Sequence, residues 1–596
     1  LRIRRSTHPH SLFDSGDERE HPQPIFSTLL GAPPRDPVPW RVNAAYAGFV
    51  AFGLGDEGSV TVRISQPFGY EFDEFTDLTG FEATEPDAFG TVVYSRSGLD
   101  EDDRFVVGLA NDDRLVSRPL AVEGVDIQLR SWPDDPDWAE FAAGRVEAGI
   151  PALAELIGTA WPVEGSFDVR QTVEPYRAGY AGWFDAQSNE IAVGEALDAD
   201  TIYHELSHAW INRRLTTERW FTEGLPQVYA AELVRRDGGD ARVPSEPTVD
   251  DPAAKPLTEW TADDDERPVE EYGYATSFWV LDGLVDEIGL GRIRDVVAGL
   301  GSGVSPYGPT DGVERPEQDW QRVYDVLVEI GGSTVAADLF RRFVVDAEDA
   351  ALIERRDRAA VEVAALAQRS GPWELPIGVR QRLERWELDD VATAVAAADA
   401  VLAQRTELEA IEQAVGIDEP DRADVAYAEA PMATSGGVAF AEAESALGAA
   451  IELGRRLEVR LGDVADAATS AGVTPPDVSE LDGVDDFAGG LAAADEQLRA
   501  LDGIVELDDR LGETGGLLET IGRWGSDLDG ALDDARSHVE AGDTEAALDT
   551  LSAADERVDD LARTGALRLA LTSAFVALTL LVLVLLVRRR RASPER

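Results

Sequence analysis

His204-Glu205-Leu206-Ser207-His208 is the stretch on which the reading of this chain turns. An α-helix repeats every 3.6 residues, so side chains at i and i+4 stand one above the other on a shared face. On a helix, His204 and His208 therefore present imidazole nitrogens to one point, which is how two histidines hold a single metal ion. Glu205 falls about 100° round the helix, outside the ligand pair but near enough to take a proton from a water in the site. This spacing is the H-E-x-x-H zinc signature, with the glutamate as general base. Histidine is otherwise scarce: His8, His10 and His21 lie in a Pro-rich start and His538 stands alone. Asp198-Ala-Asp-Thr201 offers capping residues, and Ile202, Leu206, Ala209 and Trp210 form a core-facing stripe, so a helix is expected over about 202–213.

Zinc in a hydrolase takes three protein ligands and keeps one position open. No third histidine is near. A second apolar-patterned segment follows, Thr217-Glu-Arg-Trp-Phe-Thr-Glu223-Gly-Leu-Pro-Gln-Val-Tyr229-Ala, and fourteen residues separate His208 from Glu223. Trp220, Val228 and Leu233 belong to a packed helix. A carboxylate at Glu223, among Trp220, Phe221 and Leu225, is costly to bury unless it is paired or bound to metal. Glu218 is the rival, but it sits nearer the helix start, where an acidic side chain is explained by the helix dipole. The burial cost favours Glu223.

His204-Glu-Leu-Ser-His208 followed by Trp220-Phe-Thr-Glu223-Gly224 resembles the gluzincin peptidases, most closely the M1-like group of zinc aminopeptidases. The resemblance covers roughly residues 145–345. It implies an α+β zincin-type catalytic domain in which one helix carries both histidines and a crossing helix carries the glutamate ligand. It implies one Zn2+ ion, a peptide or protein substrate, and a tyrosine on a later helix that steadies the oxyanion. Here that later segment resembles Tyr274-Ala-Thr-Ser-Phe-Trp-Val-Leu-Asp-Gly-Leu-Val-Asp-Glu-Ile-Gly289, with Tyr274 in the tyrosine's place and Tyr272 in reserve. Two departures stand out. The interval between the histidine motif and Glu223 is shorter than the M1 pattern. The Gly-x-Met-Glu-Asn exopeptidase motif is absent: Tyr180-Ala-Gly-Trp-Phe-Asp-Ala-Gln-Ser-Asn-Glu-Ile-Ala-Val193 reads instead as an edge strand, a turn and a second strand, with no glutamate to grip a free substrate amine. Endopeptidase and aminopeptidase action both stay open, and the alternative class is a catalytically inactive, peptidase-like adhesion or scaffold protein.

The formal charge is −62, from 115 acidic and 53 basic side chains, and Lys255 is the one lysine. Such a surface repels nucleic acid and anionic membranes, which excludes a nucleic-acid partner. Molar salt shortens the screening length to about 3 Å, and an acidic, lysine-poor composition resembles the proteins of extremely halophilic archaea. Aromatic and aliphatic content suffices for packed cores. With no cysteine, disulfides and thiolate-bound zinc are excluded.

Leu569–Val587 is an uncharged run spanning about 28 Å as a helix, close to the roughly 30 Å hydrocarbon layer. Arg588-Arg-Arg-Arg591 follows directly, while the other flank is acidic. The positive-inside rule then puts the C-terminus in the cytoplasm and the large N-terminal portion outside, as a single-pass cell-membrane protein. Leu1–Leu30 holds no apolar core of an export signal, so the start reads as incomplete or misplaced.

The expected organisation is multidomain: a disordered tail (1–36), an antiparallel β domain (37–135), the catalytic domain (136–370), a helical stalk or bundle (376–562), the transmembrane helix (569–587) and a short cytoplasmic tail (588–596). Gly58–Ile64, Gly90–Tyr94 and Val122–Leu129 are strands of the β domain. Beyond 376, Ala397-Ala-Asp399, Ala493-Ala-Asp495 and Ala553-Ala-Asp555 echo one another inside helical patterns, as in degenerate helical hairpins. Gly-rich breaks near 435 and 513–530 oppose one uninterrupted coiled coil. The helical region would serve as a stalk or as the surface of a homo-oligomer.

Overall fold

The computed structural model describes residues 43–52, 61–73, 76–97, 104–175, 179–264, 266–308, 318–420, 423–433, 437–513 and 515–591. The expected tail 1–36 lies outside them. The chain forms two compact units: one runs to Arg358 and takes in Glu384–Trp386, the other holds Ala359–Leu383 and everything from Glu387.

The first unit begins with two small antiparallel sheets. In one, β1 (Tyr46–Phe52) and β3 (Glu71–Phe72) flank β6 (Arg104–Ala110); in the other, β2 (Thr61–Gln66) and β4 (Glu82–Ala83) flank β5 (Val92–Ser97). Val107 and Leu109, two apart on β6, point to the same face and close a core with Ile64. Tyr70, Phe72, Leu78, Phe81 and Tyr94 pack round it.

A third, five-stranded sheet follows, in the order β10-β11-β9-β8-β7. β7 (Val116–Val122) and β8 (Val125–Ser131) form a hairpin that turns at Glu123-Gly124, both at positive φ (49° and 86°). Helix α1 (Pro136–Ile157) then crosses over, and β8 pairs in parallel with β9 (Ser166–Gln171). This corrects the expectation for Val122–Leu129. That strand does not close an antiparallel β domain ending at 135 but lies inside a mixed sheet built across that position. β11 (Glu190–Val193) pairs in parallel with β9, and β10 (Gly182–Asp185) lies antiparallel on β11 as the edge strand. α1 is capped by Asp135, whose side chain accepts from the Trp138 N–H, and it buries Trp138, Ala142, Val146, Ile150, Leu153 and Ile157 along one stripe. Helices α2 (Ala199–Ser207), α3 (Arg219–Arg236), α4 (Arg267–Ser302) and α5 (Trp320–Glu329) complete the α-rich part. Gly289 interrupts α4 with φ +78°, at the place where the sequence ends its apolar helix.

The second unit is a helical bundle: the end of α6 (Ala347–Ser370), then α7 (Leu388–Val415), α8 (Ala441–Ala471), α9 (Phe487–Glu513), α10 (Leu517–Arg523), α11 (Leu528–Glu540), α12 (Thr544–Asp559) and α13 (Leu561–Arg591). Its core joins Leu457 and Val464 to Leu501, Ile504, Leu532, Val539 and Leu551. The Ala-Ala-Asp echo has a structural meaning. Ala398, Ala494 and Ala554 are each fully buried, and the aspartate that follows each one pairs with an arginine from an earlier helix: Asp399 with Arg369 (2.8 Å), Asp495 with Arg460 (2.7 Å) and Asp555 with Arg510. A small buried residue lets the helices approach, and the next position pairs with the neighbouring helix at the surface. Residues Leu561–Arg590 of α13 form one helix long and apolar enough to cross a membrane, with a mean hydropathy of 2.7 over its most apolar 18-residue stretch.

Candidate metal centre

α2 is short because its end is dictated by a side chain. Asp198 is its N-cap, but the carboxylate accepts from the Thr201 hydroxyl (2.7 Å) and pairs with Arg242 (2.8 Å) instead of bonding a helix N–H. The helix expected to run to about 213 stops at Ser207. The Asn212 amide donates to the carbonyls of His208 (2.9 Å) and Ala209 (3.1 Å), and i→i+3 bonds tighten the chain from His208 to Trp210. His208 keeps right-handed dihedrals (φ −63°, ψ −16°), so its ring still lies over His204.

α3 packs against α2 and crosses α4 at Gly224, where a Cβ would come 2.7 Å from the Ser277 carbonyl oxygen. That close crossing places Glu223, in the second turn of α3, against the histidine pair. The two Nε2 atoms lie 3.1 Å apart. The Glu223 Oε2 atom is 3.4 Å from Nε2 of His204 and 3.7 Å from Nε2 of His208. The three sides lie within about 0.2 Å of the edges, roughly 3.3–3.6 Å, of donors around one tetrahedral ion at about 2.0–2.2 Å. His208 Nδ1 stands 3.1 Å from the Ile211 carbonyl oxygen. A carbonyl only accepts, so Nδ1 carries the proton and Nε2 keeps its lone pair for a metal. His204, His208 and Glu223 thus make a three-residue site able to hold a metal ion, with two imidazoles and one carboxylate as donors.

The electrostatics reflect burial set against the charges gathered here. Burial lowers the His208 pKa, a direction that favours the neutral ligand form. Burial acts on His204 in the same sense but is outweighed by hydrogen bonding to Glu223 and by the charges of Glu205 and Glu223, so its value is raised. For Glu223, burial pushes upward and is overcome by His208, His204 and Arg219, which hold the carboxyl below its ordinary range. Glu205 is almost wholly buried, and burial raises its pKa to about 8. β10 runs beside it: a Cβ at Gly182 would stand 3.0 Å from the Glu205 Cγ.

Tyr274 lies close enough for the Glu223 charge to act on it, and burial takes its pKa well above the ordinary phenol value. Tyr272 has Asp251 and Arg342 as its charged neighbours instead. Glu218, the rival ligand, is the N-cap residue of α3; its Oε2 accepts from the Trp220 indole at 2.9 Å, and it does not belong to the metal-ligating group.

Three further residues at the site were not singled out in the sequence. Arg219 is gripped by Glu270 (2.6 and 2.9 Å), lies 3.9 Å over the Trp260 ring and donates to the Tyr274 hydroxyl at 3.4 Å. Tyr180, just ahead of β10, is hydrogen-bonded to Arg219; burial raises its pKa, with Glu270 and Glu223 adding to the rise. Gln227 is buried and hydrogen-bonds to His204. The signal was present: Arg219, Glu223 and Gln227 fall at i, i+4 and i+8, a polar stripe on a helix that is otherwise buried.

No protein-family model matches the chain, and no curated protein is detectably similar to it. Among solved structures, it is similar to a point mutant of a two-domain M1 zinc metallopeptidase bound to L-arginine, at 13% identity and a TM-score of 0.28, covering 48% of this chain and 64% of that one. It is also similar to the M1 zinc metallopeptidase from Deinococcus radiodurans, at 13% identity and a TM-score of 0.28, covering 51% and 70%. The chain spans about 64% of the length of the first of these. The donor set, not this likeness, carries the functional reading.

Proposed function

We propose that the protein is a membrane-anchored zinc metallopeptidase that hydrolyses peptide bonds. The observation that supports this most directly is the triangle of His204 Nε2, His208 Nε2 and Glu223 Oε2, with sides of 3.1, 3.4 and 3.7 Å, beside the buried carboxyl of Glu205. His204, His208 and Glu223 would hold one Zn2+ ion. Bound zinc supplies Lewis acidity, which polarises a carbonyl and acidifies water. Glu205 is the general base: it takes the proton from the attacking water and then returns it to the leaving amine. Its ionised form would be favoured by the positive charge of a Zn2+ ion bound beside it. Tyr274 donates to the oxyanion, and Arg219, bonded to its oxygen, makes it a stronger donor.

The substrate is a peptide or protein segment lying along β10, the edge strand, which has no sheet partner on its outer side among the described residues and would take the segment by strand addition. Gly182 lets β10 itself pack close to Glu205, so a segment added to that strand would run near the base. The stretch lacks the Gly-x-Met-Glu-Asn motif, and its one glutamate, Glu190, is held by Arg170 at 2.8 Å, which favours endopeptidase action. α13 anchors the chain in the bilayer, and Arg588–Arg591 favours a cytoplasmic C-terminus with the catalytic part outside. The helical bundle acts as a stalk or as a surface for a second copy. The acid-rich, lysine-poor composition suits a halophilic organism.

The test is full-length protein in molar KCl with internally quenched peptides blocked at both ends. Cleavage together with one zinc per chain supports the reading. A wild type that binds no stoichiometric zinc and cleaves nothing overturns it in favour of a scaffold.

A further inference from the structure

The first turns of α13 carry a feature that neither catalysis nor spanning explains. α10 lies across them, and the crossing is made by two glycines: a Cβ at Gly522 would overlap the Leu561 carbonyl, and one at Gly565 would overlap the Leu518 carbonyl. Arg568 is the last charged residue before the uncharged run. It turns back to donate to the carbonyls of Ile521 (3.2 Å), Gly522 (3.0 Å) and Trp524. These are carbonyls at the C-terminal end of α10, so the arginine caps that helix and fixes its height on α13.

That height matters. Gly565 precedes Leu569 by four residues, about 6 Å along a helix axis. The headgroup layer on each side of the roughly 30 Å hydrocarbon core is about 5–8 Å thick. α10 therefore sits at the level of the headgroups. The charged side chains of this segment are engaged locally: Glu519 accepts from the Gly516 N–H at 3.1 Å, and Arg523 pairs with Asp529 at 2.6 Å. Large apolar side chains nonetheless face outward. Leu517 is 74% exposed, Trp524 85% and Leu567 62%. Among the described residues, Trp524 is the one tryptophan left largely exposed. Leaving a Trp and two Leu in water has a cost that insertion at a lipid boundary removes, and an indole suits that boundary with its apolar ring and polar N–H.

We propose that α10 and Trp524 form a membrane-interface collar: Leu517 and Trp524 dip into the headgroup–acyl boundary of the bilayer that α13 crosses. The collar gives the helical unit a second attachment, so it does not swivel freely on a single span. This rests on the reading of α13 as a span, and the test separates the two.

The chain has no cysteine, so Leu517→Cys and Trp524→Cys each supply one labelling site in the full-length protein. A nitroxide at each site, in phosphatidylcholine vesicles, reports exposure to oxygen, which favours lipid, against a nickel chelate, which stays in water. Val459→Cys, at an exposed position of α8, gives the aqueous reference, and Thr579→Cys, within the apolar run, gives the lipid reference. The collar requires oxygen-to-nickel ratios at 517 and 524 that lie between the two references. Adding Gly565→Val, which forces α10 off α13, should return both to the value at 459. A lipid value at 579 with aqueous values at 517 and 524 overturns the collar and leaves the span intact. An aqueous value at 579 overturns both. Labels at 517 and 524 shielded from both reagents, with spin–spin broadening that grows with protein density, would mean a second copy covers the patch and would also overturn the collar.

Discussion

Arg219 donates from Nη2 to the hydroxyl oxygen of Tyr274 across 3.4 Å, while Glu270 holds the same guanidinium by both of its carboxylate oxygens. A phenol oxygen that accepts from a fixed cation is a better donor of its own proton. The two residues should therefore act as one unit. Tyr274→Phe should lower kcat by about 10²-fold with little change in KM, the size seen when one oxyanion donor is lost. Arg219→Lys cannot keep the planar two-point grip on Glu270 and should reduce kcat in the same way. The double variant should be hardly worse than Tyr274→Phe alone. Fully multiplicative losses in steady-state kinetics would show that Arg219 acts elsewhere.

Glu205 and the ligands should separate cleanly. Glu205→Gln should keep its zinc, measured by elemental analysis, and lose about 10³-fold or more in turnover. His204→Ala and Glu223→Gln should instead lose bound metal as well as activity. Equal zinc loss in all three would mean that Glu205 is a ligand and not the base.

Glu218 gives a pH prediction with a definite sign. Burial raises its pKa from 4.5 to about 7, the Trp220 indole only partly opposing this. Between those values the folded protein keeps a proton that the unfolded chain releases, so stability falls as pH rises from about 4.5 to 7 and stays lower above that. Glu218→Gln keeps an acceptor for Trp220 and removes the charge. It should be more stable than wild type at pH 8, by roughly 1–3 kcal/mol, and equal to it near pH 4. Chemical unfolding at both pH values measures this. The variant should also retain zinc; loss of metal would revive Glu218 as the third ligand.

The parts of the site legible in sequence were those set by local periodicity. His204 and His208 follow from helix repeat alone, and Glu223 followed from the cost of burying a carboxylate among Trp220, Phe221 and Leu225. Tyr274 rested on family resemblance, and its placement near Glu223 depends on how α4 crosses α3 at Gly224, which no local pattern reveals. The end of α2 at Ser207 was missed because it depends on the Asn212 side chain reaching back to two carbonyls, where propensity allowed the helix to continue. The parallel pairing of β8 with β9 was missed for a similar reason: the alternation in Val125–Ser131 marks a strand but not its partner. Arg219 is not legible in sequence because an arginine near a helix start reads as a solvated charge, and only the fold brings Glu270, Trp260 and Tyr274 around it.

The last prediction concerns salt. Even with every basic side chain paired, the charge of −62 leaves that many carboxylates without a cationic partner. Salt weakens attraction and repulsion alike, but here repulsion is in excess, so screening should stabilise the fold. Many of the ion pairs that lock the helical unit are themselves exposed: the Asp399 and Arg369 side chains are 41% and 46% accessible, which limits what each such pair contributes. Diluting from molar KCl to about 0.1 M lengthens the screening distance from about 3 Å to 10 Å, bringing neighbouring carboxylates on the bundle's surface within range of one another. Helical circular dichroism and peptidase activity of the full-length protein should fall together on dilution and recover in part when KCl is restored. Zinc added at low salt should not rescue them, because the loss lies in the surface charge and not in the ligands. Full helicity and full activity at about 0.1 M KCl would rule out the halophilic reading.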